Sequence, residues 1–347
     1  MPYTYDHGSG TSGDPYQVWT ADDLNGVRDH LAAYFIQRAN INLSGWGNWN
    51  PIGSWSPINT GGDWLSGRYD GNNCVISGLT VNTADWSVGL FGYIYGGTVP
   101  RVRINNATIS GERFAGGISG YLLDGTIEDC SFNGSIYSNS INAGGIVSQN
   151  EGGTIERCFV RGSAEASSDW VGGITGYNTG TILDCYSRAS VEGRFDVGGG
   201  IGQNASPGHV ENVYATGLVT GSSGFTGGLM NRTWDTAHVV NCYYDEETSG
   251  QTDTGKGEPR TTAQMTYEPA TNTYVDWDFD AIWTHDTAYT INAGYPYLFA
   301  VEPTFAVHSK IATAWKSGPA WIKKDGQWKA VTQGWIKEGG AWKPIIP

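Results

Sequence analysis

Paired carboxylates are the first residues in this sequence that could do chemistry. Glu128 and Glu156 end matching phrases, Thr126-Ile127-Glu128 and Thr154-Ile155-Glu156, and Asp129 and Asp184 stand in the next position of the same pattern. Two carboxyl groups about 5 Å or about 6.5–9.5 Å apart would suit hydrolysis of a glycosidic bond. These acids recur, however, at equivalent places of a repeat and mostly in the polar phase of their strands, which is how a solvated outer face reads. Cys130, Cys158 and Cys185 form a second series. Val102 and Val213 hold the same place elsewhere and Cys242 continues it, so packing explains the series better than reactivity or ligation. No paired Cys/His spacing suggests zinc. The histidines, at 7, 30, 209, 238, 285 and 308, are scattered and complete no Ser/His/Asp set. Gly198-Gly199-Gly200-Ile201-Gly202 has the composition of a phosphate loop without its strand–helix context. The expectation is a protein with no catalytic residue, no metal site and no cofactor.

A binding surface is the more interesting expectation. Three residues before each of six recurring glycines stand Trp86, Phe114, Asn142, Trp170, Val197 and Phe225. Aromatic faces beside amides are what a sugar-binding surface needs, with apolar stacking and oriented hydrogen bonds. Trp86, Phe114, Trp170 and Phe225 are therefore the candidate glycan contacts. The competing reading is that they cover the core at a corner. Trp46, Trp49, Trp55 and Trp64 form a second aromatic group in a loop-like insertion, with Trp49 read as structural.

The elements that must position these residues follow from the repeat. Gly89, Gly117, Gly145, Gly173, Gly200 and Gly228 recur at steps of 27 or 28 residues, each beginning a phrase such as Gly117-Ile118-Ser119-Gly120. Ile127, Ile155 and Ile182 alternate with polar residues on the way to a cysteine, a period of two with apolar side chains facing in. A third phrase follows, as in Gly134-Ser135-Ile136. A unit this short cannot bury its apolar face alone and must stack on its neighbours. The predicted fold is all-β, a parallel β-solenoid with one coil per repeat of about 28 residues. Coils would lie about 4.8 Å apart, and the three cysteines would form an interior column of reduced thiols.

The sequence divides into four parts. Residues 1–84 read as an N-terminal cap with a helix from Thr20 to Leu31 and first strands at Ile41-Asn42-Leu43 and 74–81. Residues 85–247 are the solenoid. Residues 248–308 read as a closing cap carrying Trp277, Phe279, Ile282, Trp283, Tyr295, Pro296 and Leu298. Residues 309–347 hold two Trp/Lys segments centred on Asp325-Gly326 and Gly339-Gly340, which are hairpin signals. Trp321 with Trp328, and Trp335 with Trp342, would become cross-strand neighbours; with Trp315 they offer an apolar patch for assembly.

Composition narrows the partners. Gly makes up 51 of 347 residues, about twice ordinary usage, and charged residues only 16%. The formal charge is −14; the segment from Lys310 onward carries +5 and the remainder −19. An acidic body excludes nucleic-acid binding through phosphates, which needs Lys/Arg clusters. No apolar run is long enough for a transmembrane helix, and the N-terminal residues do not have the form of a secretory signal.

Gly89-Leu90-Phe91-Gly92, Gly117-Ile118-Ser119-Gly120 and Gly173-Ile174-Thr175-Gly176 resemble the GLUG-repeat family, as do Trp49-Asn50-Pro51-Ile52-Gly53 and Tyr69-Asp70-Gly71. The resemblance covers about Asp14 to Leu298, with the final glycine replaced at Ser148, Gln203 and Asn231. It implies a bacterial surface, adhesion-like or phage protein. The Trp-Ile-Lys…Gly…Trp-Lys segments are similar to modules that end phage tail and fibre proteins. Together these point to a non-catalytic virion protein assembled in a host cytoplasm, a tail fibre or receptor-binding component recognising a host surface glycan. Its partners would be other virion proteins and a cell-surface polysaccharide, with a possible homotrimer. The alternatives are a structural or decoration virion protein, a bacterial surface adhesin and a polysaccharide depolymerase.

Overall fold

The computed structural model describes residues 1–54, 63–234 and 236–301, and in the C-terminal part the backbone of four strands between 321 and 345. Met1–Val301 forms one compact unit and Glu302–Pro347 another. The first unit is a parallel β-solenoid. A representative coil runs through strands Phe114–Gly116, Ser119–Leu123, Thr126–Glu128 and Ser131–Ser138. The first two strand positions build six-stranded parallel sheets along the axis, and the rest join one long sheet. Ile118, Ile127, Cys130, Phe132 and Ile136 of this coil point inward and are buried.

The close approach of coils explains the glycines. A Cβ on Gly117 would lie 2.1 Å from the carbonyl oxygen of Gly145, and one on Gly145 the same distance from that of Gly173. The column continues from Gly173 to Gly199 and from Gly199 to Gly228, so Gly199 and not Gly200 is the register glycine. Gly200 takes the place that Ile174 and Leu229 hold in the coils on either side. Leu229 reaches into the space, its Cδ1 3.0 Å from where a Gly200 Cβ would stand.

Insertions and deletions fall at corners and leave the faces in register. Asn150 pairs with Asn178, but Thr154 with Thr181, so the turn between loses one residue. Asn178 pairs with Asn204 and Thr181 with His209, so the next turn gains two. Asn150, Asn178 and Asn204 form a fully buried amide ladder at this corner. Asn150 Nδ2 donates to Asn178 Oδ1 and Asn178 Nδ2 to Asn204 Oδ1, each at 2.8 Å, and each amide also bonds a turn carbonyl. Leu122 holds the preceding position. Asn178→Ala removes both ladder bonds and strands a buried acceptor on Asn204. A loss of about 3 kcal/mol is expected, larger than for Asn150→Ala, measurable as urea midpoints of the two variants.

The expected N-terminal helix is shorter than read. Ala21–Gly26 is α-helical and Val27–Asp29 a 3-10 turn, started by a capping box between Thr20 and Asp23. Leu24 and Val27 plug the first coil, while Leu31 is half-buried. The solenoid begins earlier than predicted, with Tyr16–Val18, Tyr34–Gln37 and Arg68–Asp70 stacked in parallel.

The predicted closing cap splits in two. Residues 246–260 close the end of the solenoid: Gln251 Nε2 donates to the Val219 carbonyl, Gly228 N–H to Asp253, and Lys256 to the Asn231 carbonyl. Residues 262–301 instead run back along the side. Met265, Tyr274, Trp277, Trp283, Tyr295 and Leu298 cover an outward-facing column of Phe159, Tyr186, Tyr214 and Tyr243. In that column the rings of Phe159, Tyr186 and Tyr214 stack at 5.0 Å. Arginines pin the strap: Arg103 donates to the Ala300 carbonyl at 3.1 Å, Arg161 to that of Ile291 at 3.0 Å, and Arg188 to Asn292 Oδ1 at 2.9 Å.

In the second unit Trp321–Lys324 pairs antiparallel with Gln327–Ala330, and Gly334–Glu338 with Ala341–Ile345. The two hairpins form as predicted. Their register sets Trp328 opposite Lys323 and Trp342 opposite Lys337, so Trp321 with Trp328, and Trp335 with Trp342, are diagonal rather than directly opposed. Trp315, and the side chains through which the five tryptophans would assemble, lie outside the described residues.

Candidate ligand-binding edge

The true register moves the expected aromatic row at both ends. The stacked positions are Ser87, Phe114, Asn142, Trp170, Asp196 and Phe225, because Ser87 pairs with Phe114 and Val197 with Val171. Trp86 falls one place before the column and Val197 one place after it, pointing into the core. Phe114 is also buried, packed edge-on against Tyr121 at 5.7 Å in a side cluster with Tyr93. Trp86 lies half-buried over this cluster, with the Arg113 guanidinium 4.5 Å from its ring centre. Trp170 is half-buried and Phe225 is 46% exposed.

The next sheet contributes a second column that the row alone did not reveal. Tyr93, Tyr121, Gln149, Tyr177, Gln203 and Arg232 stack in register and face outward. Seven residues separate each member from its partner in the first column, except for six between Ser87 and Tyr93, and the partners meet around the corner. Trp170 packs on Tyr177 at 5.3 Å, Asn142 Nδ2 donates to Gln149 Oε1 at 3.1 Å, and Gln149 Nε2 donates on to Glu151 at 2.5 Å. Phe225 leans on Phe195 at 5.4 Å. The result is one edge on which aromatic, amide and aromatic pairs follow one another from Phe114/Tyr121 to Trp170/Tyr177, with Ser87/Tyr93 before them and Asp196/Gln203 and Phe225/Arg232 after. A polar cleft of about 240 Å³ lined by Arg28, Asn50, Asp63, Asp85 and Ser87 lies beside the first coil. Of the second aromatic group, Trp49 is buried with its N–H on the Leu90 carbonyl, Trp64 is exposed against Tyr93 and Tyr95, and Trp55 lies outside the described residues.

Backbone geometry marks one residue on this edge. Asn142, Trp170 and Asp196 share a left-handed conformation, with φ of 70°, 60° and 50°. Asn and Asp accept that conformation; a bulky tryptophan resists it by about 1–2 kcal/mol.

The paired acids lie half-buried on the outer face, and Glu128, Asp129 and Glu156 are ion-paired there. Arg157 sits among them: Nε bonds Asp129 at 2.7 Å, Nη2 bonds Glu128 at 3.2 Å, and Nη1 bonds Glu156. These carboxylates raise the affinity of the guanidinium for its proton, against the cost of its burial. Asp184 is covered by Trp283, whose indole N–H donates to it at 3.0 Å, and Asn212 adds a second donor at 3.2 Å. Burial raises the Asp184 pKa and these donors oppose the rise. Asn73, Arg101, Asp129, Arg157, Asp184, Asn212 and Asn241 are all left-handed, φ between 48° and 61°, so the recurring acids mark a corner conformation.

That corner leads into the cysteine column, and the register shows Cys74 at its head, ahead of Val102. All five thiols are free; Cys130, Cys158, Cys185 and Cys242 are buried and Cys74 is half-buried. Burial raises the pKa of the Cys130, Cys158 and Cys242 thiols, that of Cys242 to about 12. A thiol reagent at pH 8 should modify one cysteine in the native protein, Cys74, and five after denaturation. Rapid native labelling of more than one would contradict the buried column. Among the described residues no cluster of three metal-ligating side chains occurs, and no helix is long and apolar enough to cross a membrane.

No family model matches the chain. Over 96 residues it is 48% identical to a provisionally named Gly-rich membrane protein of Evansella cellulosilytica, covering 25% of this chain and 10% of that protein. Over 112 residues it is 34% identical to halomucin of Haloquadratum walsbyi, covering 30% of this chain and 1% of halomucin. The chain thus spans a tenth or less of the length of these curated relatives. A solved structure from Bacteroides ovatus, of a provisionally assigned immunoglobulin A1 protease, superposes with a TM-score of 0.54 at 21% identity, over 86% of this chain and 96% of that one. The likeness is one of fold. It carries no catalytic residue across to this chain.

Proposed function

We propose that this chain is a non-catalytic attachment module that displays its solenoid at a surface and holds a glycan along the alternating aromatic and amide edge. The observation that carries this reading is Trp170. The equivalent position in adjacent coils is Asn142 or Asp196, residues suited to a left-handed backbone, yet here a large ring is held there and presented beside Tyr177. Strain kept against a ready alternative is a mark of function. The paired acids support the non-catalytic part, since Glu128, Asp129 and Glu156 are held in ion pairs with the shared Arg157 and Asp184 is covered by Trp283. The relatives' names, a Gly-rich membrane protein and halomucin, favour a cell surface.

Trp170→Asn tests the reading, because it relieves the backbone while removing the ring. The variant should unfold at an equal or higher urea concentration than the parent and lose retention on immobilised cell-surface polysaccharide. Neither protein should release new reducing ends. Undiminished retention by the variant would refute the edge as the site, and polysaccharide cleavage would restore the depolymerase alternative.

A phage virion component is the second reading. It is favoured by the two C-terminal Trp/Lys hairpins and by the glycine phrases that resemble GLUG repeats. In that case removal of residues 302–347 abolishes oligomerisation or incorporation into particles, whereas a cell-surface protein shows neither effect.

A further inference from the structure

We propose that the ligand is an uncharged β-1,4-linked polysaccharide lying extended along the solenoid axis, in register with every second coil. The inference rests on the attachment reading above and adds the chemistry of the ligand. The edge has a period of its own, twice that of the coil. Phe114 with Tyr121, both buried beneath the half-buried Trp86 of the preceding coil, makes an aromatic level; the buried Asn142 with the half-buried Gln149 makes an amide level. Trp170 with Tyr177 is aromatic again; Asp196 with Gln203 is polar, and Phe225 returns an aromatic ring. Coils spaced about 4.8 Å apart put successive aromatic levels roughly 10 Å apart.

That distance is the length of a disaccharide in an extended β-1,4-linked chain. Such a chain has two-fold symmetry, so each sugar is flipped relative to the last and alternate sugars present the same face. The rings of Trp170 and Phe225, two coils apart, can stack on alternate sugars, while the half-buried Gln149 on the coil before Trp170 offers its amide to the equatorial groups of a flipped unit. An α-linked chain coils away from a straight edge and meets one aromatic level only.

Charge excludes a polyanion. Glu151, Asp169 and Asp196 lie on or beside the edge. Its arginines are already engaged, Arg113 over Trp86, Arg194 over Phe195 at 4.7 Å, and Arg232 near Asp196 at 3.8 Å. The whole chain carries −14, so uronate or sulfate groups meet repulsion.

The test is calorimetric titration of the full chain with β-1,4-linked gluco- and N-acetylglucosamine oligosaccharides of two to six units, alongside α-1,4-linked glucan and polygalacturonate. Affinity should rise about tenfold between two and four units, as a second ring is engaged. Phe225→Ala should weaken the hexasaccharide several-fold and leave the disaccharide unchanged. The α-linked glucan and the polyanion should bind at least tenfold more weakly. Stronger binding of either of these, still lost in Trp170→Asn, overturns the assignment of the ligand and leaves the attachment reading standing. Failure of Trp170→Asn to affect retention of any polysaccharide overturns both.

Discussion

Gly145→Ala should abolish the folded solenoid, while Gly200→Ala should be tolerated. A methyl group on Gly145 would lie 2.1 Å from the Gly173 carbonyl oxygen and 2.3 Å from a methyl of Val160. The first obstacle is backbone held by the coil below, so relief requires two coils to part and the strand pairs on either side to break. Losses above about 4 kcal/mol are expected of such steric failures, against a total stability of about 5–15 kcal/mol. At Gly200 the nearest atom is the Cδ1 of Leu229 at 3.0 Å, the end of a side chain that can rotate away. Its cost should stay within about 1 kcal/mol. Circular dichroism and urea unfolding of the two variants read the contrast. If Gly200→Ala is the more damaging, the register of the stacked coils is wrong.

Removal of the Trp283 indole N–H should destabilise the protein in a pH-dependent way. Trp283 is a buried residue of the strap and donates to Asp184, whose pKa is raised by burial. Trp283→Phe keeps most of the ring and deletes the donor. An Asp184 carboxylate then retains only Asn212 as a side-chain donor, and about 2 kcal/mol is lost where the group is ionised. The sign follows from linkage. A carboxyl group whose folded pKa exceeds its unfolded one destabilises the native state as pH rises through the interval between them. The variant raises the folded value further, so its curve keeps falling after that of the parent has levelled. The gap should be small at pH 4 and full at pH 8. An equal difference at both would mean that Asp184 is not the partner that matters. Trp283→Ala adds the loss of a buried ring, about 3–5 kcal/mol, and should uncover the Tyr186 and Tyr214 stack.

The solenoid was legible because a coil's strands, corner residues and apolar positions recur together in the sequence. Register was less so. Gly198-Gly199-Gly200 accepts two alignments, and only the spacing of backbones distinguishes a glycine that must be bare from one that replaces an isoleucine. That single slip displaced Val197 into the predicted row, and a one-residue shorter step at the first coil did the same for Trp86. The side-on strap was not legible, since residues 262–301 have no period to follow. A signal for it existed: Phe159, Tyr186, Tyr214 and Tyr243 each follow a cysteine-column residue, in the outward phase. Four large rings in that phase require a cover. The candidate edge was half legible. Its first column came from the spacing to glycine, but the second lies seven residues on, around a corner whose geometry only the stacked coils define.

The returning strap also decides where tension would run. A pull between the N-terminus and Val301 enters the solenoid at its first coils and leaves where Arg103 holds Ala300. The last coils lie outside that path. Load falls first on the Arg103 clamp, then on Leu298 and Tyr295 of the aromatic cover, and then on the Arg161 and Arg188 clamps at Ile291 and Asn292. The strap would peel from its Val301 end one clamp at a time, yielding length while the coils that carry Trp170 and Phe225 stay wound. On the attachment reading proposed above, such peeling would absorb a jerk while the candidate edge keeps its shape.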